Sequence, residues 1–237
     1  MDGITCAMMN LIGSEVCGTE ADSGLYAALS DEEKIGLYRL SKKHDLAHIV
    51  GNALINDNLL REEKLKEAYQ NEVFTVVYRY ETLAYELEEL RRVFNDAKIP
   101  FIPLKGSVIR KYYPEPWQRT SCDIDVLVKE KDADNAAEYL QTRLQYRCEE
   151  KWQHDISLFS PSNVHVELHF KLLDLDFKQV KDLIDVWSVD EISLLSDSEY
   201  QMSKELFLLY HIYHMAKHFI HGGCGIKPFI DLWIIKN

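Results

Sequence analysis

The stretch Leu104 to Val128, LKGSVIRKYYPEPWQRTSCDIDVLV, decides how the rest of the chain is read. Its end, Asp123-Ile124-Asp125, sets two carboxylates in an apolar run that continues through Val126, Leu127 and Val128. Side chains alternate along a strand, so residues two apart share a face. Asp123 and Asp125 then point one way while Ile124 and Val126 turn toward a core. Two like charges side by side are unfavourable unless something positive lies between them. A divalent metal meets that need, and Mg²⁺ takes oxygen ligands together with substrate phosphates.

The front half of the stretch supplies a place for phosphates. Residues 99–104, IPFIPL, read as a short buried strand, which Pro100 and Pro103 mark as an edge or irregular one. Lys105-Gly106-Ser107 opens a short helix over residues 108–113, stopped by Pro114 and Pro116. A strand, a Gly-Ser turn and a helix start form an anion site: glycine lets the backbone come close, and free amides point at the anion. Ser107 adds a hydroxyl, and Lys105 and Arg119 are the candidates for positive charge.

A Gly-Ser turn followed by a strand bearing Asp-hydrophobic-Asp resembles the polymerase-beta-type nucleotidyltransferase superfamily. The fuller pattern, LKG, then YP-P, an arginine and DIDVLV, resembles a bacterial family of uncharacterised nucleotidyltransferases. The likeness runs from about residue 30 to the end and is sharpest from Ile99 to Val128. The interval from Ser107 to Asp123 is longer than in many superfamily members.

A second informative stretch is Val164 to Phe170, VHVELHF. Val164, Val166, Leu168 and Phe170 alternate with His165, Glu167 and His169, a pattern that fits a half-buried strand whose polar face looks into a site. In the superfamily a third carboxylate on a neighbouring strand completes the metal cluster, and Glu167 matches that place. The resemblance therefore implies transfer of a nucleoside monophosphate from an NTP to an acceptor hydroxyl of a small molecule or protein, with pyrophosphate leaving. Asp123, Asp125 and Glu167 would be the catalytic residues and would hold Mg²⁺ (or Mn²⁺). Lys105, Gly106, Ser107 and Arg119 would bind the nucleotide. His165, His169, His214 and His218 are candidates for contacts around them, with Asp155 or His169 as substitute ligands should Glu167 lie elsewhere.

Two rival readings are weaker. The Asp-x-Asp of glycosyltransferases calls for a nucleotide-sugar-binding Rossmann half ahead of it, where this chain reads as helical. A non-catalytic nucleotide-binding or toxin-neutralising module on the same scaffold has no need of an intact carboxylate triad.

The net charge of −12 argues against nucleic acid, whose phosphates call for a basic surface. Five cysteines without a CxxC pair fit a reduced, cytoplasmic setting. The N-terminus lacks the positive region and long apolar core of a signal peptide, and no run reaches the roughly 20 apolar residues of a membrane span. No feature of the sequence sets an oligomeric state.

These readings predict an α+β protein: a small mixed β-sheet of nucleotidyltransferase type flanked by helical parts. The N-terminal helical part covers 1–95, the nucleotidyltransferase core 96–172 and the C-terminal helical part 173–237. Residues 1–24 form a helix or loose arm. Ser30 and Glu33 form a capping box, and a long helix runs from about Arg61 to Asn95 on a three-four apolar repeat. A further helix covers 133–144, and strands are expected at 146–151 and 155–159. Helices follow at 174–186, 203–221 and from 228. The uncapped apolar end, 232–237, reads as a chain that continues beyond residue 237, truncated here. His211, His214, His218 and His221 form a stripe at helical spacing that is read as packing rather than as a zinc site. His44 and His48 are read as ordinary helix surface.

Overall fold

In the computed structural model, which describes residues 2–172 and 186–236, the chain divides into two compact units. One comprises Met1–Tyr80, Ile109–Thr120 and His214–Asn237, the other Glu81–Val108 and Ser121–Tyr213.

The first unit is helical. Helix α1 (Gly3–Val16) is capped by Asp2, whose carboxylate accepts from the Thr5 amide. After the short α2 (Ser23–Ala27), α3 (Asp31–Lys43) begins on the expected capping box of Ser30 and Glu33. Helix α4 (Ala47–Asn56) is apolar around most of its circumference and buried accordingly. His48 is therefore not on the surface. It is 2% exposed, and its Nε2 donates to the Gln118 carbonyl at 2.9 Å. Gly51 of the same helix is needed for a close approach, since a Cβ there would meet the Tyr69 ring at 2.7 Å. The unit also takes in the first half of α5 (Glu63–Asp96), the end of α8 (Lys204–His221) and α9 (Lys227–Lys236).

The second unit holds a seven-stranded mixed sheet in the order β3-β4-β5-β2-β1-β7-β6. The strands are β1 (Phe101–Pro103), β2 (Asp123–Val128), β3 (Arg147–Lys151), β4 (Asp155–Phe159), β5 (His165–His169), β6 (Ile192–Ser196) and β7 (Glu199–Met202). Pairings β2–β5 and β1–β7 are parallel, the others antiparallel. The second half of α5 and α7 (Ala133–Leu144) supply Leu83, Leu87, Leu90, Phe94, Ala136 and Leu140 to a core with Ile124, Val126, Val128, Val166 and Leu168. The α+β class with a small mixed sheet is the expected one.

Burying side chains of this size contributes roughly 1.5–3 kcal/mol each. A slip of β5 by one residue would expose Val166 and Leu168, which are fully buried, and turn His165 and Glu167 into the core. That cost holds the polar face outward.

Three further expectations need correction. Strands β6 and β7, in a part read as mostly helical, form a hairpin instead. Strand β1 is an interior strand rather than an edge, although only Phe101 pairs with β7, at Glu199. The helix placed at 108–113 begins earlier: α6 spans Lys105–Ile109, followed by a 3₁₀ turn at Arg110–Tyr112. The helix expected at 174–186 falls on residues outside those described, apart from Val186, which opens a 3₁₀ turn.

Candidate active site

The sheet gathers the acidic residues through one parallel pairing. Strand β2 sets Asp123 opposite His165, Asp125 opposite Glu167 and Leu127 opposite His169 on β5. Period-two alternation then puts Asp123, Asp125, His165, Glu167 and His169 on the face away from Val126 and Val166. On the far side of β5, β4 brings Ser157 opposite Glu167 and Asp155 opposite His169.

Asp125 is 2% exposed, and a buried carboxylate is tolerated only with partners. It has two. The Lys105 ammonium lies 2.5 Å from its Oδ1, and His169 Nε2 lies 2.9 Å from the same oxygen. Both cations also reach Glu167, Lys105 at 3.7 Å and His169 at 3.2 Å from Oε2. Lys105 adopts φ 44°, in the left-handed region, which costs a residue with a Cβ about 1 kcal/mol. The turn between β1 and α6 carries that strain while the lysine meets Asp125.

Proton affinities follow from this packing. Burial, then the charge of Asp125, holds the Asp123 carboxyl above its ordinary range. The His169 hydrogen bond, outweighing burial and helped by Lys105, holds Glu167 far below the usual carboxylate range. Burial works against the imidazolium of His169, yet the bonds to Asp125 and Glu167 prevail and raise it to about 9. Lys105 is raised in the same way, burial being outweighed by Asp125. Tyr210, which the sequence did not mark as part of the site, is held well above the ordinary phenol value by burial and then by the charges of Asp125, Glu167 and Asp123.

Among the described residues, two overlapping sets of donors are close enough to hold a cation. Asp123, His165 and Glu167 form one and Asp125, Glu167 and His169 the other, each with ligand atoms within 4.8 Å of one another. The structure thus groups Lys105, Asp123, Asp125, His165, Glu167 and His169 in the sheet unit. Gly106 and Ser107 follow in α6, where the Ser107 amide donates to the Leu104 carbonyl. Arg119, His214 and His218 belong to the helical unit. There Arg119 Nε donates to both carboxylate oxygens of Asp231, and the Nε2 atoms of His214 and His218 are 2.9 Å apart. Ser157 went unmarked in the sequence; its hydroxyl is 2.8 Å from His165 Nε2. The alternation Asp155-x-Ser157 beside an exposed-faced strand was the available signal.

The profile of the uncharacterised nucleotidyltransferase family matches residues 31–237. The chain belongs to that family and is an enzyme of the nucleotidyltransferase class. Among solved structures, the solution structure of the antibiotic-resistance factor ANT(2'')-Ia is similar at 11% identity, covering 66% of this chain and 83% of that one with a TM-score of 0.48. No curated protein matches the sequence.

Proposed function

We propose that this nucleotidyltransferase moves a nucleoside monophosphate from an NTP to an acceptor hydroxyl of a small molecule or protein, using divalent cations (Mg²⁺ or Mn²⁺) bound by Asp123, Asp125 and Glu167. The functional core is the segment 96–172. The observation that supports the reading is the β2–β5 register, with Glu167 offering a ligand atom within 4.8 Å of Asp123 in one set of donors and of Asp125 in the other.

The residues fit such a cation. Three carboxylates converge, an ammonium and an imidazole already bring positive charge onto them, and Asp155 beside His169 has a buried Oδ1 with no hydrogen-bond partner. Divalent ions so held would offset the charge of the phosphates and of the attacking and leaving oxygens. In the transfer, the acceptor oxygen forms a bond to the α-phosphorus and the α–β phosphoanhydride bond breaks. Pyrophosphate carries away the bonding electrons, and the hydroxyl proton goes to a carboxylate of the cluster. Lys105 would meet the triphosphate charge together with Gly106 and Ser107 in the first turn of α6. Rate would come from positioning and electrostatics.

The acidic charge of −12 supports an acceptor other than nucleic acid. No disulfide joins the five cysteines, and among the described residues no helix is long and apolar enough to cross a membrane; both support a cytoplasmic setting.

The test is transfer of label from the α-phosphate of an NTP to small-molecule and protein fractions of a cell extract. Labelled acceptor and free pyrophosphate are expected with a divalent ion present. Glu167→Gln keeps the shape and removes the charge, so transfer should fall by orders of magnitude while NTP still binds. A Glu167→Gln enzyme that labels as well as the wild type would contradict the proposal.

A further inference from the structure

Both candidate cation sets contain an imidazole, and both share Glu167. The far nitrogen of each ring faces an oxygen. His165 turns Nδ1 toward Glu167 Oε1, at 4.0 Å, while its Nε2 meets the Ser157 hydroxyl at 2.8 Å. The ring is also stacked on Phe159, with centroids 4.8 Å apart. His169 is 8% exposed and turns Nε2 toward Asp125 and Glu167, while its Nδ1 lies 3.9 Å from Asp155 Oδ2. A hydrogen-bonded outer nitrogen with an inner nitrogen aimed at a carboxylate, as at His165, is the usual setting of a metal-bound histidine.

We infer that His165 and His169 are metal ligands rather than bystanders, so that each cation is held by one aspartate, one imidazole and the shared Glu167. The inference rests on the proposed function and deepens it by naming the class of ion. Mg²⁺ is a hard ion that prefers oxygen and keeps its waters. Imidazole nitrogen suits the first-row transition ions, whose affinity for nitrogen-containing sites rises from Mn²⁺ onward. A pair of sites with one nitrogen each therefore favours Mn²⁺ or a later transition ion over Mg²⁺. Ser157 is a positioning residue in this scheme: its hydroxyl orients the His165 ring.

The test is a Mn²⁺ titration of the whole chain with a non-hydrolysable NTP analogue, followed by electron spin-echo modulation on the loaded protein. Imidazole nitrogen bound directly to Mn²⁺ is expected in the spectrum, and Mg²⁺ should compete poorly. Ser157→Ala should weaken Mn²⁺ binding by about 10–100-fold, the usual effect of losing an outer hydrogen-bond partner. Ser157 acts from outside the ligand set, and the nitrogen signal of the unaltered protein decides the matter whether or not the variant folds. Mn²⁺ bound with no nitrogen coupling, or displaced by equimolar Mg²⁺, overturns the histidine ligands and leaves the carboxylate site standing. No divalent binding of either kind overturns both.

Discussion

Asp125 shows how little freedom the site residues have: a charge with 2% exposure persists because Lys105 and His169 both touch one of its oxygens. His48, in the helical unit, is the opposite case. It is a buried imidazole with a single neutral partner, and burial holds it below the usual imidazole range despite the Gln118 carbonyl. The folded state then resists a proton that the unfolded chain accepts below about pH 6.5. Stability attributable to His48 is therefore intact above that pH and lost as pH falls through it. Urea midpoints at pH 7 and pH 5 should drop more for the wild type than for His48→Gln, whose amide can still donate to Gln118; equal drops would show that His48 titrates normally. His48 was misread because a polar residue four places from His44 looks like surface. The neighbours Leu46, Ile49, Val50, Ala53 and Leu54 carried the better signal, an element apolar around most of its circumference. The faces of Asp123 and Asp125 on one strand and of Glu167 on the other, by contrast, were legible from alternation, since a strand's period of two leaves no choice of face; that the two strands belong side by side came from the family resemblance. What alternation could not show is which cation answers each carboxylate, because that depends on side-chain conformations set by the turn at Lys105.

Among the elements, the β6–β7 hairpin was the one the sequence concealed. It is short, Leu194 and Leu195 are more than half exposed, and its attachment to β1 is a single parallel bridge between residues 101 and 199. Polar groups hold it. Arg91 of α5 grips Glu199 with two hydrogen bonds, Nε to Oε2 at 3.0 Å and Nη2 to Oε1 at 3.1 Å, and Asn95 Oδ1 accepts from the Ser198 amide. Glu199 is 5% exposed, so removing its partner leaves a buried charge uncompensated, at a cost of about 3 kcal/mol or more. Arg91→Ala should speed amide exchange across residues 192–202 while leaving β2 and β5 protected. Exchange unchanged in the hairpin would mean that its backbone pairing alone keeps it in place. Strands β2 and β5, apolar on one face and joined by five register pairs, were legible for the reason the hairpin was not. Their burial is written into consecutive residues, whereas a bidentate ion pair 108 positions apart leaves no local trace.

For the molecule as a whole, membership of the nucleotidyltransferase family sets the reaction class, and the sheet unit supplies a carboxylate cluster suited to a cation. An acidic protein with three clustered carboxylates repels a triphosphate unless a cation intervenes. Nucleotide binding should therefore depend on the divalent ion. The direct measurement is the melting temperature of the full chain with each common NTP, with Mg²⁺ or Mn²⁺ and again in EDTA. A ligand a hundredfold above its Kd stabilises the native state by about 2.7 kcal/mol, which a melting curve resolves easily. The account predicts a rise for at least one NTP with the divalent ion, none in EDTA, and none in Asp123→Asn/Asp125→Asn. An equal rise in EDTA, or no rise with any NTP and either ion, would contradict it.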